Sequence, residues 1–269
     1  MPHAAPPAAD ARNAPAAPVP VVIHGARGRM GQRLVALAQA DQALAFGGGF
    51  DLDRPLTAEA LQEAADGRMP PVVIDFSSAA ALPGVLQACR AASAPLVLGS
   101  TGLGAAHQQA LDDAADVVPV LQAANFSLVV NVLHHLAAQA VQLLGPGWDL
   151  EVLEAHHRHK VDAPSGTALA LAHTLAHAAG RDPSCILTER SGHEAKRHPQ
   201  DITVQTLRIG DHPGEHTIHL AAAGERMELR HIATSRDSYA LGALRAAAWL
   251  AHQPAGRHTM RDVLGVGEA

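Results

Sequence analysis

The chain has 269 residues, enough to bury one large core or two modest ones, and with only 3% aromatics Ala, Val, Leu and Ile must fill them. A formal net charge of -6, with no basic stripe interleaved with aromatics, argues against a nucleic-acid partner, and no apolar run reaches membrane-spanning length. Cys89 and Cys185 are far apart, no signal peptide is evident, and reduced thiols in a cytoplasmic protein are expected.

Residues 1–18 are mostly Ala and Pro, without the apolar core or the arginine-rich amphipathic pattern of a targeting peptide, and predict a disordered tail. Val19 to His24 predicts a short buried strand. It leads into Gly25-Ala26-Arg27-Gly28-Arg29-Met30-Gly31, and then Leu34, Val35, Leu37 and Ala38 recur at helical spacing. Strand, glycine turn and helix make a phosphate cradle. Gly25 permits the tight turn, Gly28 lets the backbone approach a pyrophosphate, and Gly31 allows close packing of helix on strand. The spacing Gly-x-x-Gly-x-x-Gly departs from the commoner Gly-x-Gly-x-x-Gly. A second strand, Leu44 to Phe50, ends at Asp51, where a dinucleotide fold places an acid for the ribose hydroxyls, although a single Asp is by default a loop carboxylate.

Strands and helices then alternate: Val72 to Phe76, Ala79 to Ala92, Pro95 to Gly99, Leu103 to Ala115 and Val117 to Gln122. Such alternation predicts a parallel sheet with helices on both faces and ligands at the carboxyl ends of the strands. Ser77-Ser78, Gly99-Ser100-Thr101-Gly102 and Asn125-Phe126-Ser127 follow strands at that edge. Each alone is an ordinary turn or helix cap; together they could floor a nicotinamide site.

Beyond residue 127 the pattern changes. Leu128 to Leu144 is a long helical stretch, and Trp148 to Ala155 is a strand that runs into Glu154-Ala155-His156-His157-Arg158-His159-Lys160-Val161-Asp162-Ala163-Pro164-Ser165-Gly166-Thr167-Ala168. In a net acidic chain this basic cluster makes a local positive well for a small anion. The helix opening at Ser165-Gly166-Thr167 offers backbone N–H groups to a carboxylate or phosphate. Imidazoles and a lysine are also the groups that general acid catalysis uses. Two blander readings stand beside this one: a metal site, which lacks joined Cys or acidic ligands at the usual spacing, and a solvated basic loop. After the helix Thr167 to Ala179 come Ile202 to Ile209, His216 to Ala222 and Arg226 to Ala233, three runs that predict an antiparallel sheet, with Gly210 to Gly214 as a loop. A last helix, Ser238 to His252, returns to the first unit. The fold expected is α/β: a Rossmann-type parallel sheet plus a second α/β domain with a mixed or antiparallel sheet. Residues 19–127 and 237–269 form the dinucleotide-binding domain, and 128–236 the substrate-binding domain.

These residues resemble the 4-hydroxy-tetrahydrodipicolinate reductase (dihydrodipicolinate reductase) family of bacterial lysine biosynthesis. The stretch from Glu154 to Ala168 matches its signature without interruption. Gly28 to Gly31, Ile74 to Phe76, Ala123 to Ser127, Gly214 to Thr217, Gly224 to Arg226 and Met260 to Leu264 match in order. The resemblance implies hydride transfer from NADH or NADPH to a cyclic dicarboxylic imine with loss of water, and a homotetramer built through the second domain. By position, His156 resembles the family's proton donor or acceptor, Lys160 its second donor, and His157, Ser165, Gly166 and Thr167 its substrate-binding set. Gly25, Ala26, Arg27, Gly28, Arg29, Met30, Asp51, Gly99, Ser100, Thr101, Ala123, Ala124, Asn125 and Phe126 resemble its cofactor contacts. No metal is implied.

The chain departs from the family pattern in two places. The segment from Asp51 to Val72 is short, so that a strand or loop near the adenosine end could be missing and the cofactor site loosened. Leu52 stands where an arginine often pairs with the 2′-phosphate of NADPH. Asp51 without that arginine favours NADH, unless Arg27 or Arg54 reaches across. Two rival readings remain: another two-domain dehydrogenase acting on a neutral substrate such as a sugar, and a cofactor-sensing binding protein without turnover. The first has no use for a dicarboxylate clamp, and the pairing of His156 with Lys160 argues against the second.

Overall fold

A computed structural model describes residues 17–267 except Asp66, Arg68, Glu194 and His212. The expected tail lies outside the described residues, save for Ala17 and Pro18, which are exposed. The first sheet is built from β1 (Val19–His24), β2 (Leu44–Phe50), β3 (Val72–Asp75), β4 (Leu96–Leu98), β5 (Pro119–Gln122) and β11 (Gly256–His258). Its order is β11-β5-β4-β3-β1-β2, and every pairing is parallel.

The strands are apolar on both faces because helices cover both. α1 (Arg29–Ala40), α7 (Asp237–Leu250) and α8 (Met260–Leu264) cover one face, and α2 (Ala58–Ala65), α3 (Leu82–Ala92) and α4 (Ala105–Ala115) the other. Side chains alternate with period two, so Val21, Ile23, Ile74, Val97 and Leu121 enter the first core while Val22, Val73, Leu96, Leu98 and Val120 enter the second. The short segment after Asp51 is not simply a deletion. It supplies α2, whose fully buried Leu61 joins Val22, Phe50 and Val73.

The second sheet holds β6 (Asp149–His156), β7 (Ile186–Leu187), β8 (Ile202–Arg208), β9 (Gly214–Ala222) and β10 (Glu225–Ala233), in the order β10-β9-β6-β8-β7. α5 (Leu128–Leu144) and α6 (Gly166–Ala178) pack against each other and close a third core with Leu150, Val152, Ile202, Val204, Ile218 and Leu220. The expected antiparallel arrangement holds for β9 with β10 and with β6. β8 instead runs parallel to β6. The cause is the intervening α6, a crossover that returns the chain to the end where β6 began.

Candidate active site

The first sheet reverses its winding between β1 and β3: the chain steps outward from β1 to β2, then resumes on β1's other side. Such a switch point leaves a crevice at the carboxyl ends of the strands. A cavity of about 460 Å³ lies there, lined by Gly25 and Gly28 after β1, by Asp51 and Leu52 after β2 and by Ser77 and Ser78 after β3. Gly25 turns with φ +76, a conformation that favours glycine, and a Cβ at Gly31 would stand 2.0 Å from the Gly25 carbonyl oxygen. Helix α1 can therefore begin directly against the loop. Its N-cap, Gly28, has no side-chain capping bond, so the first-turn N–H groups remain for an anion.

Asp51 Oδ2 accepts from the Arg27 N–H at 3.0 Å and Oδ1 from the Leu52 N–H at 2.9 Å. These backbone bonds, that from Arg27 foremost, hold its carboxyl below the usual aspartate range. The acid is thus charged and fixed at the cavity rim. The Arg27 guanidinium pairs with Asp53, Arg54 stacks on Phe50 at 4.7 Å, and Leu52 is 99% exposed. Below the rim, fully buried Asp75 joins three loop ends: it bonds His24 Nδ1 at 2.7 Å and accepts from the Ser100 hydroxyl at 3.0 Å and the Ser77 N–H at 3.2 Å. Uncapped amides, a cradle with no room for side chains and an ionised acid at its edge fit a nicotinamide dinucleotide.

A second cavity, of about 740 Å³, opens where the two sheets meet. Thr101, Ala123, Ala124 and Asn125 line it from the first sheet, and His156, His157, Lys160, Ser165, Gly166 and Thr167 from the second unit. Glu154 and His156 lie two apart on β6, hence on one face, and the fully buried Glu154 carboxylate meets His156 Nδ1 at 2.5 Å. Register places Thr206 of β8 and His216 of β9 beside Glu154. Burial is the largest influence on Glu154 and pushes its pKa up. Hydrogen bonds from His156, Arg208 and Ser165 outweigh it and bring the value to about 2. Ser165 caps α6 by accepting from the Ala168 N–H at 3.1 Å, and its Oγ lies 3.3 Å from His216 Nε2. Burial, with the charges of His156 and His231 behind it, lowers His216 to about 3, so that ring is neutral.

Gly166 and Thr167 carry first-turn N–H groups without acceptors inside the helix, and Gly166 is exposed to the cavity. The Thr167 hydroxyl accepts from Asn125 Nδ2 at 3.1 Å, which ties α6 to the first sheet's edge and leaves the hydroxyl hydrogen available. Lys160 Nζ donates to both Asp162 carboxylate oxygens at 2.8 Å, and this bond is the main reason Asp162 sits below the ordinary carboxylate range.

Sequence profiles of two regions match. The dihydrodipicolinate reductase N-terminal region matches residues 19–126 and the C-terminal region residues 129–264. The chain belongs to the dihydrodipicolinate reductase family. It is 44% identical over 266 residues to the 4-hydroxy-tetrahydrodipicolinate reductase of Alkalilimnicola ehrlichii, covering 91% of this chain and 98% of that one. Against the enzyme of the same name from Myxococcus xanthus it is 44% identical over 264 residues, covering 91% and 97%. A dipicolinate-bound dihydrodipicolinate reductase from Paenisporosarcina sp. TG-14 shares the fold with a TM-score of 0.73 at 21% identity, over 90% of this chain and 97% of that one. Membership makes the chain an NAD(P)H-dependent oxidoreductase with a nicotinamide dinucleotide cofactor.

Within this family frame, the structure brings His156, His157, Lys160, Ser165, Gly166, Thr167, Thr101, Ala123, Ala124 and Asn125 around one cavity, and Gly25, Gly28 and Asp51 around the other. Ala26 and Met30 pack partly on the first core, Arg27 and Arg29 are exposed, Ser100 is buried on Asp75 and Gly99 lies against Phe76. The Phe126 side chain packs in the core, its ring 5.4 Å from that of Phe76. His134, Arg236, Tyr239 and Arg261 also line the second cavity. They stand on helices or at helix starts, where charge density gives no local signal. Among the described residues, no group of three His, Cys, Asp or Glu side chains could hold a metal ion, and no helix is long and apolar enough to cross a membrane.

Proposed function

We propose that this chain reduces 4-hydroxy-2,3,4,5-tetrahydrodipicolinate to tetrahydrodipicolinate, a step of diaminopimelate and lysine biosynthesis, with NADH as the preferred donor. The observation that carries the reading is the second cavity, where the open amides of Gly166 and Thr167 face His156, His157 and Lys160 beside the carboxyl edge of the parallel sheet. Gly25 to Met30 and Asp51 would hold the dinucleotide, and Gly99 to Thr101 with Ala123 to Phe126 continue that edge toward the substrate. The bound dinucleotide supplies the hydride.

The protein's own groups do the rest. Gly166 and Thr167 N–H groups grip one ring carboxylate, with the Thr167 hydroxyl as a third donor. His157 and Ser165 complete the clamp, Arg236 adding positive charge at the same wall. Negative charge grows on the ring nitrogen as the conjugated carbon is reduced, and His156 and Lys160 are placed to stabilise and protonate it. NADH preference is supported by Asp51, whose carboxylate repels a 2′-phosphate, and by Leu52, which offers no cation to offset it.

We assign residues 19–127 and 237–269 to dinucleotide binding and 128–236 to substrate binding and assembly, in a cytoplasmic homotetramer. The separate third core supports the division, and exposed Val129, Leu136, Leu207 and Ile232 support assembly through the second unit. The test couples the protein to a synthase that forms the unstable substrate from pyruvate and aspartate semialdehyde, and follows loss of reduced-nicotinamide absorbance. Turnover inhibited competitively by pyridine-2,6-dicarboxylate is expected; absence of turnover, or no competition, rejects the assignment.

A further inference from the structure

We infer that Glu154 is a positioning residue for this reaction: one buried carboxylate fixes the His156 imidazole with Nδ1 as its proton-bearing nitrogen and, through the Ser165 N–H, sets the helix start that receives the substrate carboxylate. The inference rests on the function proposed above and deepens it. Glu154 Oε1 accepts from the Ser165 N–H at 3.1 Å, the Thr206 hydroxyl at 3.1 Å and Arg208 Nη2 at 3.0 Å, while Oε2 accepts from Arg208 Nη1 at 3.0 Å and meets His156 Nδ1 at 2.5 Å. An ionised carboxylate only accepts, and Arg and backbone N–H groups only donate. Nδ1 must therefore carry the proton, which leaves Nε2 as the nitrogen that exchanges a proton with the reacting ring.

The surroundings of His156 reinforce this orientation. His216 of β9 meets the ring edge-on at 5.3 Å between centroids, with His231 of β10 stacked behind it at 6.0 Å. Arg208 of β8 lies across the ladder and shares Glu154, while His157, Lys160 and Arg236 face the same cavity. On these elements Glu154 is the anion in direct contact with the imidazole. The strand period puts Glu154 and His156 on one face, and the same carboxylate reaches the first residue of the clamp. Substrate grip and imidazole orientation are therefore set by a single group.

Nitrogen-15 spectra of the full-length wild-type protein test the tautomer directly, with the His156 signals assigned by their loss in His156→Gln. In the neutral imidazole, a protonated Nδ1 and a bare Nε2 are expected; a protonated Nε2 overturns the inference. Glu154→Gln tests the consequence. Its amide oxygen can keep the Ser165 and Thr206 donors, but its NH₂ would face Nδ1 and reverse the tautomer. We expect kcat to fall about a hundredfold with substrate KM within about threefold. A kcat within about threefold of wild type, or an unchanged His156 tautomer in a folded variant, refutes the positioning role. If Glu154→Gln does not fold, the wild-type tautomer decides. A wild-type protein with the expected tautomer that reduces no substrate would reject the proposed function and leave the assignment of Glu154 to His156 standing.

Discussion

Gly214→Ala places a methyl group against the His156 imidazole, and the structure sets the size of the effect. A Cβ at Gly214 would stand 2.6 Å from His156 Nε2 and 2.9 Å from Cδ2. Ordinary contact begins near 3.5 Å, so the ring must retreat by roughly 0.9 Å. It cannot do so freely, because Nδ1 is held at 2.5 Å by a carboxylate that itself receives four other hydrogen-bond donations. Stretching a hydrogen bond to a buried charge costs about 1.5–3 kcal/mol, or a fall in Tm of roughly 3–10 °C for a chain of this size. A displacement near 1 Å at a reacting group costs about a hundredfold in rate. We therefore expect kcat in the coupled assay to drop about a hundredfold. The dissociation constant of NADH, read by its fluorescence, should stay within about twofold, since Gly214 is not among the residues lining the first cavity. A variant that turns over within about threefold of wild type would refute the claim that imidazole placement limits the reaction.

Lys160→Met should lower kcat by about a hundredfold while leaving the dissociation constant of NADH nearly unchanged, as loss of a proton source requires, and normal turnover would remove Lys160 from the mechanism. NADH should exceed NADPH in kcat/KM for the wild type, and Leu52→Arg should raise the NADPH value about tenfold through one charge-assisted contact; a strong NADPH preference in the unaltered protein contradicts the reading of Asp51. Acid should destabilise the fold before its carboxylates titrate. Burial lowers His134 from 6.5 to about 4 and His216 from 6.5 to about 3. Both are neutral when folded and take up protons on unfolding, so stability is full above 6.5 and lost as pH falls toward these values, with a slope of up to about 1.4 kcal/mol per pH unit for each ring. Glu154, lowered from 4.5 to about 2, adds its own loss only below 4.5. Urea midpoints at pH 7 and pH 5 check this, and equal midpoints would contradict it.

The elements that could be read from the sequence are those whose own residues decide them. Leu128–Leu144 has an apolar stripe, a Ser127 cap and a glycine stop, and it forms as expected. Strand β11, Gly-Arg-His, has no apolar alternation and exists because it lies along the edge of β5. The direction of β8 was hidden because a period of two fixes which face a side chain takes and says nothing of strand polarity. The site divides in the same way. Residues 154–168 announce themselves by charge density and a helix cap. Arg208 and His216, by contrast, reach Glu154 and Ser165 from 54 and 51 positions away, and each is one polar residue in an alternating strand. Asp75 could have been found: an acid closing the run Val72-Val73-Ile74, on a strand buried throughout, must have partners at the strand's end.

Helix α7 supplies Ala240, Ala243, Ala246, Ala247 and Leu250 to the core on one face of the first sheet, yet it follows all of the second sheet in the chain. During synthesis, the segment from β1 to β5 emerges with that face covered by α1 alone, and β5 waits for an edge neighbour, β11, that follows the whole second sheet in the chain. Co-translational folding of this protein is therefore not strictly vectorial. Apolar surface on that face and the edge of β5 stay exposed until α7 and β11 have been made, whereas residues 128–233 carry the whole of the third core.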